Sequence, residues 1–198
     1  MRKVLCFLIT VVAFAASTTA FSQIYSIESR GQVINVTEDE YTIRFALVSD
    51  SLNGEEWISR LEMAGIALNI EVEAILMSDA FVPTRDTIAI GIIKGEKIAD
   101  PWRFDGHIRN KAREDYYFKT PTLETAVLIR YYLSDKIMKQ MGLDWVTIMT
   151  SPITPTYDTD KLLLVAGHTK GYERLSTTMA DSGYKWKRPS GFAFIWYN

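Results

Sequence analysis

Apolar and polar residues alternate through the first patterned part of the chain, which is typical of strands with one buried face. Over residues 41–47 every second side chain is apolar, and Thr42 and Arg44 lie among the polar positions between them. Another strand precedes this one, and Gly31 marks the turn before it. The pattern therefore predicts strands, with a hairpin among them, over residues 24–48.

A helix-capping signal comes next, because Asn53 precedes Glu56 by three residues and each side chain can cap the other's backbone N–H. Apolar residues at helical spacing begin at Trp57. The helix ends near Gly65 or continues beyond it. Polar and apolar residues also alternate over residues 69–73, which is compatible with a strand. The sequence therefore leaves residues 66–78 open between helix and strand.

Two uninterrupted apolar runs, residues 87–93 and 162–166, predict strands that are buried on both faces of a sheet. β-branched residues dominate the first run, which favours a strand over a buried helix. Further apolar stretches predict strands over residues 145–149 and 192–197. Because the two long runs lack polar positions, we expect other elements to cover both faces of the sheet.

The clearest helical pattern begins after Thr120, a capping residue, with Pro121 at the first helical position. It ends at Gly142, a residue type favoured just beyond a helix C-terminus. One apolar stripe at steps of three and four residues runs along it: Ala126, Ile129, Leu133, Ile137 and Met141. A second, short helix is predicted over residues 172–179, where apolar residues recur at helical spacing.

The predicted order from residue 86 onward is strand, helix, strand, strand, helix, strand, which is that of a ferredoxin-like (βαββαβ) sheet with two helices. In that arrangement the first and third strands are central, and here they are the two uninterrupted apolar runs. We therefore expect a single α+β domain over residues 23–198. Residues 23–85 add an N-terminal β-hairpin and helix, and residues 86–198 form the core, with an inserted loop over residues 94–120.

The N-terminus has the pattern of a secretory signal peptide, so we expect residues 1–22 to be cleaved. Arg2 and Lys3 carry positive charge, a short apolar run follows, and small residues come after it. Cleavage fits after Ala20 or after Ser22. The alternative is an uncleaved N-terminal anchor. Either way, we expect an exported protein in the periplasm, at the cell surface or outside the cell.

Composition narrows the chemistry of the mature chain. Its one cysteine, Cys6, lies in the predicted signal peptide, so no disulfide, thiolate ligand or cysteine nucleophile is expected after cleavage. Without Arg2 and Lys3, 20 basic residues stand against 24 acidic ones, a net charge of about −4. This mildly acidic balance argues against a nucleic-acid partner. We expect no cofactor, no metal and no transmembrane segment in the mature chain.

The connection over residues 94–120 is longer than most and mixes aromatic residues with charges of both signs. Aromatic residues and arginine commonly anchor interfaces. The candidate contact residues are therefore Trp102, Arg103, Arg109, Tyr116 and Tyr117. The alternative is a capping subdomain, in which the rings pack onto the sheet and the charges pair in solvent.

Two histidines offer further candidate sites. His107 follows Asp105 closely in a polar stretch, which supplies the atoms for a metal site or a histidine–carboxylate pair, although the spacing matches no established ligand motif. His168 follows a buried strand and stands near Lys170, where backbone N–H groups can hold an anion at a helix start. This segment is not a P-loop, because it lacks the glycine spacing and the Lys-Ser/Thr pair of that motif.

Because no catalytic motif stands out, the sequence favours a non-enzymatic binding protein of the cell envelope. The expected partner is an envelope protein, a peptide or a glycan. The alternative is a hydrolase that uses His107 or His168 with a nearby carboxylate. Geometry distinguishes the two, since a hydrolase requires one histidine within hydrogen-bond reach of a carboxylate and a hydroxyl.

Overall fold

The computed structural model describes residues 22–154, 160–169, 171–180 and 183–196. Its first three strands form an antiparallel meander: β1 (Gln23–Ser29), β2 (Gln32–Glu38) and β3 (Thr42–Val48). Arg30 and Gly31 join β1 to β2 with φ values of 46° and 79°, as a tight two-residue hairpin requires. The predicted N-terminal strands and hairpin are confirmed.

The segment that the sequence left open contains both kinds of element. Helix α1 (Gly54–Met63) begins with the predicted reciprocal cap and ends before Gly65. A two-residue strand, β4 (Ala67–Leu68), follows, and then helix α2 (Ile70–Leu76). The Asn69 side chain accepts a hydrogen bond from the first turn of α2, so the polar residue between the two elements starts the second helix.

Strand β5 (Thr87–Lys94) confirms the strand predicted from the apolar run over residues 87–93. The connection over residues 94–120 is not a loop throughout. After two short 3-10 turns it forms helix α3 (Asp105–Tyr116), which ends where Tyr117 adopts the left-handed conformation at φ 57°.

The helix predicted from Thr120 to Gly142 is two helices, α4 (Glu124–Tyr132) and α5 (Asp135–Gln140). The chain leaves the helical path at Leu133, and the Ser134 side chain caps α5 by accepting from the N–H of Ile137 at 3.4 Å. The stripe of apolar residues is buried or half-buried as expected, since the first core takes residues from both helices. Its continuity concealed the break.

Thr120 is not the cap of α4, which begins four residues later without a side-chain cap. The start of this helix is held by Glu124, which is fully buried. Its Oε1 accepts from the Ser49 hydroxyl at 2.5 Å, and its Oε2 accepts from the N–H of Thr84 at 2.8 Å. Tertiary contacts to Ser49, just after β3, and to Thr84 therefore anchor the start of α4, where the sequence predicted a local cap.

The remaining strands are β6 (Trp145–Ile153), β7 (Leu162–Thr169), β8 (Tyr172–Met179) and β9 (Ser190–Ile195). The prediction of a short helix over residues 172–179 is wrong, because this segment is β8 and pairs with β7 along its whole length. Its hydroxyl residues suit a strand, and Gly171 provides φ 86° in the turn before it. Tertiary pairing outweighs the helical spacing of three apolar residues.

The nine strands of the described residues form one mixed sheet in the order β1-β2-β3-β5-β9-β6-β7-β8-β4. The pairs β6–β9 and β4–β8 are parallel, and the other pairs are antiparallel. The ferredoxin-like expectation is therefore wrong. Strands β9 and β6 separate β5 from β7, and β3 pairs with β5, so the N-terminal strands extend the same sheet rather than adding a separate layer.

Alternate residues of the central strands enter two cores on opposite faces of the sheet. On the first face, Ile92 and Leu164 pack with α1, α2, α4 and α5. On the second face, Ile93 and Leu163 pack with α3. The expected covering of both faces of the central strands is confirmed. Among the helices of the described residues, none is both long and apolar enough to cross a membrane.

Candidate functional site

Arg109, predicted as a contact residue, is used to hold α3 against the sheet. Its Nε donates to Asp105 Oδ2 at 2.8 Å, one helical turn away. Its two terminal nitrogens donate to the carbonyl oxygens of Met149 at 2.7 Å and Thr150 at 2.9 Å. The guanidinium therefore ties α3 to the backbone of β6.

Arg103 has a similar internal role and is only 5% exposed. Its Nε donates to the carbonyl oxygen of Trp186 at 2.8 Å, and it forms an ion pair with Asp100. The N–H of Trp186 donates in return to the carbonyl oxygen of Arg103 at 2.9 Å. These bonds join the connection after β5 to the segment that leads into β9.

The three predicted aromatic contacts differ in exposure. Tyr116 is half-buried and stacks on Phe118 at 5.5 Å between ring centroids, and burial raises the pKa of its hydroxyl. Trp102 is 55% exposed and Tyr117 is 82% exposed. Of the five predicted contact residues, only Trp102 and Tyr117 present most of their surface to solvent, and the contact role of the set stays a prediction.

The two histidines each lie beside a tryptophan ring. His107 is exposed and lies 5.1 Å from the Trp102 ring, and His168 is half-buried and lies parallel to the Trp145 ring at 5.4 Å. Within the part of the chain that the structure describes, neither histidine hydrogen-bonds to a carboxylate, and no three His, Cys, Asp or Glu residues cluster as metal ligands. Lys170 lies outside the described residues.

A cleft on the second face brings together side chains that the sequence analysis did not select. It has a volume of about 220 Å³ and lies between strands β6, β7 and β8 and the segment before β9. We call it the aromatic cleft, and its lining residues are Trp145, Thr147, Val165, Ser176, Thr177, Thr178, Tyr184, Trp186, Lys187 and Ser190.

The register of the strands builds the floor of the aromatic cleft. Thr147 of β6 lies opposite Val165 of β7, which lies opposite Ser176 of β8. Two residues further along, the same face carries Trp145, and the Trp145 ring lies against Gly167. The absence of a side chain at Gly167 makes room for this ring.

Two aromatic residues form a wall of the cleft. Tyr184, which is 44% exposed, meets Trp186 edge to face at 5.0 Å, and Trp186 in turn meets Phe192 at 5.8 Å. Trp186 is 5% exposed, and its buried indole N–H has no hydrogen-bond partner among the described residues. A rigid buried ring therefore supports an exposed one, and an unsatisfied donor of this kind costs about 1–3 kcal/mol.

Hydroxyl and charged groups complete the lining. Thr147, Ser176 and Ser190 bring hydroxyl groups to the cleft, and Lys187 brings an ammonium group. The cleft thus combines apolar rings with groups that donate and accept hydrogen bonds, as binding sites for small molecules do.

A larger hollow of about 400 Å³ lies at the ends of β5 and β9 and includes Trp196, Ile88 and Asp86. A neighbouring hollow of about 460 Å³ shares Thr122 with it. Both are lined mainly by aliphatic side chains and threonines, so their linings define no particular ligand chemistry. The aromatic cleft is the better candidate site.

The helical pattern assigned to residues 172–179 hid the cleft from the sequence analysis. As a strand, this segment places Ser176 and Thr178 on the face opposite Leu175, which is the alternation that defines the cleft floor. The run Tyr184-Lys185-Trp186-Lys187 was a visible signal, because it alternates aromatic and basic residues.

Comparison with known proteins gives no match to a family model, to a curated protein or to a solved structure.

Proposed function

We propose that this chain is an exported, non-enzymatic binding protein and that its ligand is a carbohydrate held in the aromatic cleft. The observation that carries the proposal is the combination of Trp145 and Tyr184 rings with a floor of hydroxyl side chains. A sugar ring presents C–H groups on its faces and hydroxyl groups at its rim. The C–H groups pack on aromatic rings, and the hydroxyl groups exchange hydrogen bonds with serine and threonine.

The size of the cleft supports a short ligand segment. Its volume of about 220 Å³ is below the range of roughly 300–1,000 Å³ for drug-sized ligands. A site of this size accommodates one or two sugar residues, such as the end or a short stretch of a longer glycan. A glycan is also one of the partner classes expected from the sequence.

The cleft is also well fixed before any ligand binds. Its floor consists of paired strands, and its wall is anchored where Arg103 and Trp186 exchange two hydrogen bonds. A site that needs little ordering loses less conformational entropy on binding. A low ordering cost is important for a sugar ligand, because its hydroxyl groups must also lose their bound water before they hydrogen-bond to the protein.

The alternative, hydrolysis at His107 or His168, has less support. Each ring lies beside a tryptophan, and neither has a carboxylate hydrogen-bond partner in the described ranges. Export rests on the signal-peptide pattern of residues 1–22. Mass spectrometry of the protein recovered from outside the cytoplasm should give an N-terminus at Phe21 or Gln23, and a retained Met1 in a membrane fraction would overturn that part of the proposal.

Isothermal titration calorimetry with neutral and acidic trisaccharides tests the binding function. We expect saturable binding of at least one trisaccharide. Tyr184→Ala should weaken this binding at least tenfold, because it removes the contribution of an important contact residue to the binding free energy. The matched control is Tyr172→Ala, an exposed tyrosine at the start of β8 that does not line the cleft.

The proposal fails if the folded protein binds none of these saccharides at millimolar concentration. It fails as well if Tyr184→Ala and Tyr172→Ala bind equally well. The melting temperature of each variant is measured alongside, so that a loss of binding is not confused with unfolding.

A further inference from the structure

We propose that the sugar bound in the aromatic cleft carries a carboxylate. This inference rests on the proposed carbohydrate function and adds the charge of the ligand. It is carried by two basic side chains that have no anionic partner among the described residues: Lys187, which lines the cleft, and Arg174, which lies on the same face of the sheet as the lining residue Ser176.

Lys187 lines the cleft and is exposed, and within the described ranges it forms no ion pair. The adjacent Arg188 differs, because its guanidinium lies 2.6 Å from Asp100 Oδ1. Arg103 pairs with the same aspartate. Asp100 is therefore engaged by two arginines, and Lys187, which lines the cleft, has no ion-pair partner among the described residues.

Arg174 lies within β8, which is paired with a strand on each side. Its neighbours across the strands are Gly167 in β7 and Ala67 in β4. Leu175 packs in the first core, so strand alternation places Arg174 on the second face with Ser176. The two residues are roughly 7 Å apart along the strand, so the long Arg174 side chain starts within reach of the cleft that Ser176 lines.

The guanidinium of Arg174 is half-buried, and its buried Nε has no hydrogen-bond partner in the described part of the chain. The neighbouring acid, Glu173, lies on the first face, where its Oε2 pairs with Arg130 at 3.3 Å. Partial burial of an unpaired cation costs free energy unless an anion compensates it. The planar fork of an arginine matches the two oxygens of a carboxylate.

The cleft therefore offers aromatic rings and hydroxyl groups for a sugar, together with a guanidinium and an ammonium for a negative group on that sugar. None of the described residues that line the cleft is acidic. A sugar carboxylate occurs either on the ring, as in a uronic acid, or on an ether substituent, as in N-acetylmuramic acid. Both present the same charge and shape to the two cations.

Calorimetry with three probes tests the inference: trigalacturonate, the disaccharide of N-acetylglucosamine with N-acetylmuramic acid, and neutral triacetylchitotriose. We expect at least one acidic probe to bind at least tenfold more tightly than the neutral probe at about 20 mM salt. The advantage should shrink at about 500 mM salt, where screening is strong. Whichever acidic probe binds more tightly identifies the position of the carboxylate.

Lys187→Gln and Arg174→Gln should each weaken binding of the acidic probe about fivefold to tenfold, as expected for loss of one nearby charge. Both should weaken binding of the neutral probe much less, so that the ratio of acidic to neutral affinity falls. The matched control is Lys185→Gln, which removes the same charge from an exposed residue two positions earlier that does not line the cleft. If Arg174→Gln does not fold, Lys187→Gln decides.

Equal affinity for acidic and neutral probes, or equal effects of Lys185→Gln and Lys187→Gln, would overturn the carboxylate while leaving carbohydrate binding intact. Failure of all three probes to bind the folded protein would overturn the carbohydrate function itself. The two failures are therefore distinguishable.

Discussion

The ring of Trp145 occupies the space that a side chain on Gly167 would need. A Cβ built on Gly167 would lie 2.8 Å from Trp145 Cε3, closer than real Cβ contacts allow. The glycine lies in the middle of the sheet, where its backbone carbonyl also accepts a hydrogen bond from Arg130 at 2.9 Å. The position of the main ring of the cleft thus depends on a glycine in the neighbouring strand.

Gly167→Ala should therefore displace the Trp145 ring and weaken saccharide binding. We expect a loss of about 1–3 kcal/mol in the free energy of unfolding, typical of overpacking, measured by urea denaturation. The matched control is Gly106→Ala in α3, where an added Cβ meets nothing within 4 Å. If Gly167→Ala were as stable as Gly106→Ala and bound saccharide normally, the close contact would not be important.

Arg130 should be one of the most sensitive positions for stability, because it is fully buried and contacts two carboxylates. Its guanidinium donates to Asp135 Oδ1 at 2.9 Å and to the carbonyl oxygen of Leu133 at 2.6 Å, and it lies 3.3 Å from Glu173. Arg130→Met should cost about 3–5 kcal/mol, since it leaves the acids without their partner.

Thermal or urea denaturation measures this cost. The control is Arg113→Met, because Arg113 contacts Asn110 and Glu114 on the exposed side of α3, each at 3.1 Å. That change should alter stability by no more than about 0.5 kcal/mol. Similar losses in the two variants would contradict the structural role of Arg130.

Asp39 should make stability depend on acid pH. Burial alone would raise the pKa of its carboxyl, but hydrogen bonds donated by the Thr42 hydroxyl and by the N–H groups of Thr42 and Tyr41 hold that pKa below its usual 3.8. The folded protein then binds fewer protons than the unfolded chain near that pH. The stabilisation is present above pH 3.8 and is lost as the pH falls through the folded pKa.

Urea denaturation of the native protein and of Asp39→Asn at pH 6 and at about pH 3 tests this dependence. The native protein should lose more stability between the two pH values than the variant, because asparagine does not titrate. An equal loss in both proteins would show that other groups account for the acid sensitivity.

Trp102→Ala and Tyr117→Ala test the surface predicted from the sequence. Both side chains are largely exposed, so each change should leave the melting temperature nearly unchanged. Trp57→Ala is the contrasting control, since Trp57 is fully buried and its truncation should cost about 3–5 kcal/mol. We expect both exposed variants to keep saccharide binding, and loss of binding in either would move the ligand to this surface.

The strands that could be predicted are those whose pattern was either strictly alternating or uninterrupted. β3 and β5 carry such patterns, and both were found where expected. The capping box at Asn53 was found as well, because capping depends on residues only three positions apart. Local sequence is sufficient where local contacts determine the element.

The errors arose where distant contacts decide the structure. Tyr172, Leu175 and Met179 have helical spacing, but pairing with β7 makes the segment a strand. The apolar stripe through Leu133 is continuous, but the helix breaks there, and the buried Arg130 guanidinium bonds to the carbonyl oxygen at the break. Neither contact can be inferred from nearby residues.

The candidate site was missed for the same reason. Trp145, Ser176 and Tyr184 are far apart in sequence and meet only because β8 lies beside β7 and the segment before β9 folds over them. The sequence analysis instead selected Arg103 and Arg109 for their residue types, and both guanidinium groups are engaged in bonds within the fold.

The most direct test of carbohydrate binding in the aromatic cleft is NMR of the indole N–H groups during titration with triacetylchitotriose and with trigalacturonate. The chain has five tryptophans, so each position can be followed separately. The expected result is a saturable shift of the Trp145 and Trp186 signals, with that of Trp57, on the opposite face of the sheet, unchanged. Shifts confined to Trp102 or Trp196, or no shift with either saccharide, would contradict it.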